Sequence, residues 1–134
     1  MKVSASINNR PGSHHVNVET NGVSKTISIS PKPDGLGSSI NGAEFLLVSI
    51  ATCFCNDIYR EAAKRMISIH EVNVTATAEF GGEGEPGTNF LYKAEVKANA
   101  SDTEISELIK HVNEIAEIHK TIRMGVEVKL IELV

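Results

Sequence analysis

The sequence contains no tryptophan, and its aromatic side chains are limited to two tyrosines and four phenylalanines. Any core must therefore be filled by Ile, Val, Leu and Ala rather than by stacked rings. Only two cysteines are present, Cys53 and Cys55, one residue apart. That excludes the disulfide framework of a small secreted domain and makes free thiols the expectation. No stretch approaches the ~20 consecutive apolar residues of a membrane helix. The opening residues, MKVSASINNRPG, also lack the apolar centre of a signal peptide. Nor is there a basic cluster: the formal net charge is −4, so neither nucleic acid nor a membrane is expected as a partner. These absences point to one cytoplasmic domain spanning residues 1–134, long enough for a single core.

What is present is organised around residues 41–66, NGAEFLLVSIATCFCNDIYREAAKRM. From Phe45 to Phe54 almost every residue is apolar, which predicts a central helix buried on most sides at its start. From Asp57 onward charge returns beside Ile58, Ala62 and Met66, so the far end reads as amphipathic. Ser39 or Asn41 could cap this helix, with Glu44 in its first turn facing the positive end of the dipole. Residues 1–40 read as a three-stranded meander and an exposed loop. Val3, Ala5 and Ile7 alternate with polar neighbours, NNRPG marks a turn, and Asn21-Gly22 between two alternating runs is a hairpin cue. Residues 67–134 read as ββαβ. Two alternating runs flank the turn-rich GGEGEPGTN, and Ser101-Asp102-Thr103-Glu104 matches a capping box. Ile105, Leu108, Ile109, Val112, Ile115 and Ala116 follow at helical spacing toward an end near Arg123 and Gly125, and VEVKLIELV closes the chain as a strand. The fold class is α+β with antiparallel sheets.

The cysteines are the chemistry-bearing residues. On a helix, positions two apart diverge by about 200°, so Cys53 and Cys55 should face nearly opposite sides and not bond to each other. A buried cysteine is as readily a small hydrophobe as a reactive group, and reactivity requires a nearby cation, a helix N-terminus or a metal. His14, His15, His70, His111 and His119 are scattered without zinc-like spacing and read as structural or solvent-facing. No metal and no cofactor are expected.

The stretch N-G-A-E-F-L-L-V-S-I-A-T-C-F, residues 41–54, resembles the central-helix signature of the OsmC/Ohr family of thiol-dependent hydroperoxide reductases. The order of elements resembles that family over essentially the whole chain. The resemblance implies an intertwined homodimer with two central helices buried together. It implies that Cys53 is the peroxidatic cysteine, that Arg10 is the cation activating its thiolate, and that Glu44 holds that arginine. The partners it implies are an organic hydroperoxide and an external thiol reductant. The sequence also departs from the pattern. Gly42 stands where the family has proline after the helix-start asparagine, so Glu44 matches only in a one-residue-shifted placement. Ala116 stands where the peroxidases carry their second, resolving cysteine. A one-cysteine cycle is then implied, with Cys55 a possible second thiol. Two alternatives stay open: a dimeric protein of this fold that binds a small apolar ligand without catalysis, and a thiol or metal sensor using Cys53 and Cys55, which would need a break in the helix around Phe54.

Overall fold

In a computed structural model, residues 1–131 are described. The chain divides into two compact units, Met1–Phe45 and Leu46–Val134. The boundary falls inside the central helix, where no linker composition marks it.

The first unit is an antiparallel meander of β1 (Val3–Arg10), β2 (Ser13–Thr20) and β3 (Val23–Ile27) in sequential order. Its two turns follow from residues that tolerate unusual backbone angles. Asn21 and Gly22 both take positive φ, at 49° and 84°, as a two-residue turn between right-twisted strands requires. Between Arg10 and Ser13 the chain reverses over Pro11 and Gly12, with Gly12 at φ 77°. Pro11 presets its own φ, and glycine supplies the left-handed position. The loop that follows is tied to β1 through Asn9. Its side-chain amide donates to the Gly37 carbonyl at 3.2 Å and its Oδ1 accepts from the Gly37 amide at 3.1 Å.

Helix α1 runs unbroken over Gly42–Lys64. Asn41, not Ser39, caps it. Asn41 Oδ1 accepts from the Glu44 amide and Glu44 Oε2 accepts from the Asn41 amide, both at 2.8 Å, so two orphan donors are satisfied reciprocally. The expected burial of its start is not met within one chain. Leu46 and Val48 are exposed, and the buried face is Ile50, Phe54, Asp57, Ile58, Glu61 and Ala62. One chain covers one face only, and the covered face comes from the amphipathic far end.

The core of the second unit is built where α1 meets α2 (Asp102–Ile115) over the hairpin of β4 (Ile69–Glu79) and β5 (Thr88–Ala98). Phe54, Ile58, Ala62, Leu108 and Val112 are its buried centre, with Val72, Val74, Tyr92, Ala94 and Val96 supplied by one face of the ribbon. The alternation of β4 and β5 thus does what a period of two requires, pointing apolar residues at the helices and Glu71, Lys93, Glu95 and Lys97 outward. Ser101 and Glu104 form the expected capping box of α2. Within this core Glu61 is buried but not stranded. Lys64 at 2.8 Å and Arg60 at 3.0 Å bind one of its oxygens and His111 lies 3.3 Å from the other. The Lys64 and Arg60 hydrogen bonds hold its carboxyl down at about 2.

Two expectations are corrected. The second helix is not continuous to Arg123. At Ala116 the backbone leaves the helical region (ψ 117°), and a separate α3 spans Glu117–Arg123. No glycine or proline marks this break. It redirects the chain so that His119 packs against Phe54 and Tyr92, at ring-centroid separations of 5.6 and 4.6 Å. The closing strand is also absent over residues 126–131, which are exposed on both faces and pair with nothing among the described residues. Residues 132–134, the remainder of that expected strand, lie outside the described residues.

Candidate functional site

Cys53 sits in the middle of α1, half-buried, on the side of the helix that meets the start of α3. Its thiol donates to Asp57 Oδ2 at 3.8 Å, a contact the helix makes by bringing residues four apart onto one face. Asp57 is itself buried and salt-bridged to Arg60 at 2.8 Å. Glu117, in the first turn of α3, brings a second carboxylate to the sulfur. The backbone N–H groups of Ile118 and Glu117 face the same atom, because Ala116 ends α2 and begins α3 without a capping side chain that would take them up.

The electrostatics of this arrangement follow from its parts. Burial pushes the Cys53 thiol above its ordinary range, and the negative charges of Asp57 and Glu117 push it further; the Ile118 and Glu117 amides pull the other way without overcoming them. Burial likewise raises the Asp57 carboxyl, opposed by Arg60 and reinforced by Glu117. Within this unit the sulfur therefore has hydrogen-bond donors for its anionic form but lacks a cation. Replacing exposed Glu117 by Gln removes one of the two repelling charges while keeping the backbone donors. Cys53 in Glu117→Gln is expected to alkylate faster than native protein at neutral pH, with its titration displaced downward; an unchanged profile would mean the carboxylate does not act on the sulfur.

The same three side chains have a second chemical capacity. Cys53 Sγ and carboxylate oxygens of Asp57 and Glu117 all lie within 4.8 Å of one another. In tetrahedral sites Zn–S is about 2.3 Å and Zn–O about 2.0–2.2 Å, so these side chains would have to draw closer together to share one divalent cation. The intervals between cysteines and histidines along the chain do not announce this set, because one donor comes from a different helix.

Of the other residues singled out in the sequence, Arg10 and Glu44 lie in the first unit and Cys55 in the second. Arg10 is exposed at the end of β1, and it enters no salt bridge among the described residues. Glu44 is exposed in the first turn of α1, with one oxygen engaged on the Asn41 amide. No ion pair joins Arg10 to Glu44. Cys55 faces away from Cys53, into a groove against β4 beside Val72 and Val74. Both cysteines are free thiols and the helix is continuous through them, which removes the break that a sensor using the two together needs. Asp57 was legible in principle, since it stands one helical turn from Cys53. Nothing in the sequence marks Glu117 or the amide of Ile118 as its neighbours.

Over residues 35–131 the sequence matches the family model described as OsmC-like protein. No curated protein matches it. Among solved structures it is similar to an OsmC-like protein from Mycoplasma pneumoniae, with 22% identity, coverage of 91% of this chain and 86% of that one, and a TM-score of 0.60. It is similar to an organic hydroperoxide resistance protein OsmC from Legionella pneumophila at 22% identity, coverage 96% and 94%, TM-score 0.56. A third is an organic hydroperoxide resistance protein from Elizabethkingia anophelis, at 20% identity, coverage 95% and 91%, TM-score 0.55. No described helix is long and apolar enough to cross a membrane. With a mixed α+β architecture, antiparallel sheets and a long central helix carrying Cys53, the chain belongs to the OsmC-like protein family.

Proposed function

We propose that the protein is a thiol-dependent organic hydroperoxide reductase that runs on one redox-active cysteine, Cys53. The observation that carries this reading is the free, half-buried thiol of Cys53 in the middle of an unbroken α1, on the side that meets the start of α3; the Ile118 and Glu117 amides nearby favour its anion. Such donors stabilise the negative charge on sulfur and on the oxygen it acquires. The names of the Legionella and Elizabethkingia relatives point to the same substrate class.

In the proposed reaction the Cys53 thiolate attacks the distal oxygen of ROOH. An S–O bond forms, the O–O bond breaks, and the alkoxide leaves as ROH after taking a proton. An external dithiol then attacks the sulfenic sulfur. Water leaves, a mixed disulfide forms, and the second thiol releases Cys53 as it closes the dithiol into a disulfide. With Ala116 at the place of a resolving cysteine, this reductant is obligatory, and excess peroxide would drive Cys53 up the oxidation ladder.

The raised Cys53 thiol sets what this reading demands: a cation must reach the sulfur. By resemblance to the family it is Arg10, oriented by Glu44, in a homodimer. A second copy would also account for the exposure of Leu46 and Val48 on α1 and of Val126, Val128 and Leu130 near the chain end. The test is the pH dependence of Cys53 alkylation in a Cys55→Ser background, with and without Arg10→Ala. A thiol titrating below the free value of about 8.5, and rising when Arg10 is removed, is expected. A Cys53 that titrates above that value in both proteins would end the reading.

A further inference from the structure

A cavity of about 110 Å3 opens in the second unit beside α3 and β5, walled by Ile50, Phe90, Tyr92, His119, Ile122 and Arg123. Most of its wall is apolar. Its polar features do not fit an apolar role. His119 is 4% exposed, and both of its ring nitrogens are buried without a hydrogen-bond partner. A neutral imidazole carries one donor and one acceptor, and leaving either buried and unmatched costs about 1–3 kcal/mol. Burial and the nearby Arg123 charge both disfavour its protonation.

Arg123 is held at the same wall by neutral groups. Its guanidinium donates to the Asn113 carbonyl at 2.9 Å and to Asn113 Oδ1 at 2.7 Å, and the Tyr92 hydroxyl donates to the same Oδ1. Arg123 enters no salt bridge among the described residues, and the cavity wall contains no carboxylate. A positioned, unneutralised guanidinium beside an unmatched imidazole and an apolar wall is complementary to one kind of molecule, an anion with a hydrocarbon body.

We propose that this cavity is a binding site for small apolar carboxylates, the carboxylate pairing with Arg123 beside the His119 ring while the hydrocarbon packs against Ile50, Phe90 and Ile122. The site uses none of the thiol chemistry, so it stands or falls separately from the reductase reading. The apolar wall selects against inorganic anions, and the Arg123 charge selects against neutral alcohols of the same size.

The experiment is a titration followed by NMR of the His119 imidazole resonances, with hexanoate as probe and hexan-1-ol and acetate as controls. Hexanoate is expected to bind saturably and shift the His119 signals. Hexan-1-ol and acetate should each bind at least about ten-fold more weakly, as loss of a charge-assisted pair or of several buried CH2 groups implies. Arg123→Gln should weaken hexanoate at least about ten-fold and Arg123→Lys less, while Cys53→Ser should bind as native protein does. Because Arg123 is exposed, its variants test the site without removing a core side chain. Equal affinity for hexanoate and hexan-1-ol, an Arg123→Gln protein that binds undiminished, or His119 signals that do not move would each overturn the proposal.

Discussion

Cys53→Ser is expected to reduce dithiol-dependent consumption of an organic hydroperoxide to the uncatalysed rate, whereas Cys55→Ser retains it. The two substitutions are alike in chemistry and two residues apart, so the contrast isolates position. Cys53 lies beside the start of α3, near the Ile118 and Glu117 amides, while Cys55 looks into a groove against β4. The serine hydroxyl fills nearly the same space at position 53, so folding is preserved and the loss reports on sulfur. One added equivalent of peroxide should also leave native protein with a sulfenic acid at Cys53 that a dimedone-type reagent captures. Activity surviving in Cys53→Ser would remove the cysteine from the chemistry altogether.

Phe54→Ala is expected to destabilise the protein by about 3–5 kcal/mol, the cost of deleting a buried ring from a core that cannot fully collapse around it. Phe54 is fully buried, its ring centroid lies 5.0 Å from that of Tyr92 and 5.6 Å from that of His119, and it belongs to the cluster with Ile58, Ala62, Leu108 and Val112. In a sequence with so few aromatic residues, this is the contact that fastens α1, β5 and α3 together. The lost tilted ring contacts add to the cavity, each such pair contributing about 0.5–1.5 kcal/mol. Urea melts read the effect directly, and Phe54→Leu should cost distinctly less. A loss below about 1 kcal/mol for Phe54→Ala would mean that the core repacks across this position.

The local grammar of the chain was legible from its residues. Asn21-Gly22 specified its turn because few residues tolerate two successive positive φ angles, and Ser101 with Glu104 specified a helix start because the reciprocal hydrogen bonds are strictly local. Asn41 with Glu44 is the same device one helix earlier, and it engages Glu44 in the helix cap. What escaped the sequence depended on long-range packing. The break at Ala116 carries no glycine or proline, and it goes together with His119 meeting Phe54 and Tyr92 across the chain. The segment from Val126 alternates as a strand should, but alternation alone does not form one without an edge to join. Around Cys53, the spacing to Asp57 was readable from helical geometry, whereas Glu117 arrives from another helix. Sequence reasoning placed the sulfur and missed its carboxylates, and with them the upward push on the thiol.

The bare start of α3 governs how this sulfur can be watched. A helix of seven residues is too short to persist without its surroundings, and Ala116 offers it no side-chain cap. Its first amides lie near the Cys53 sulfur. An anionic sulfur would draw those N–H groups into hydrogen bonds that a neutral thiol does not make. Amide hydrogen exchange at Glu117 and Ile118 therefore reports the charge on a side chain far away in sequence, with no label and no reaction at the cysteine itself.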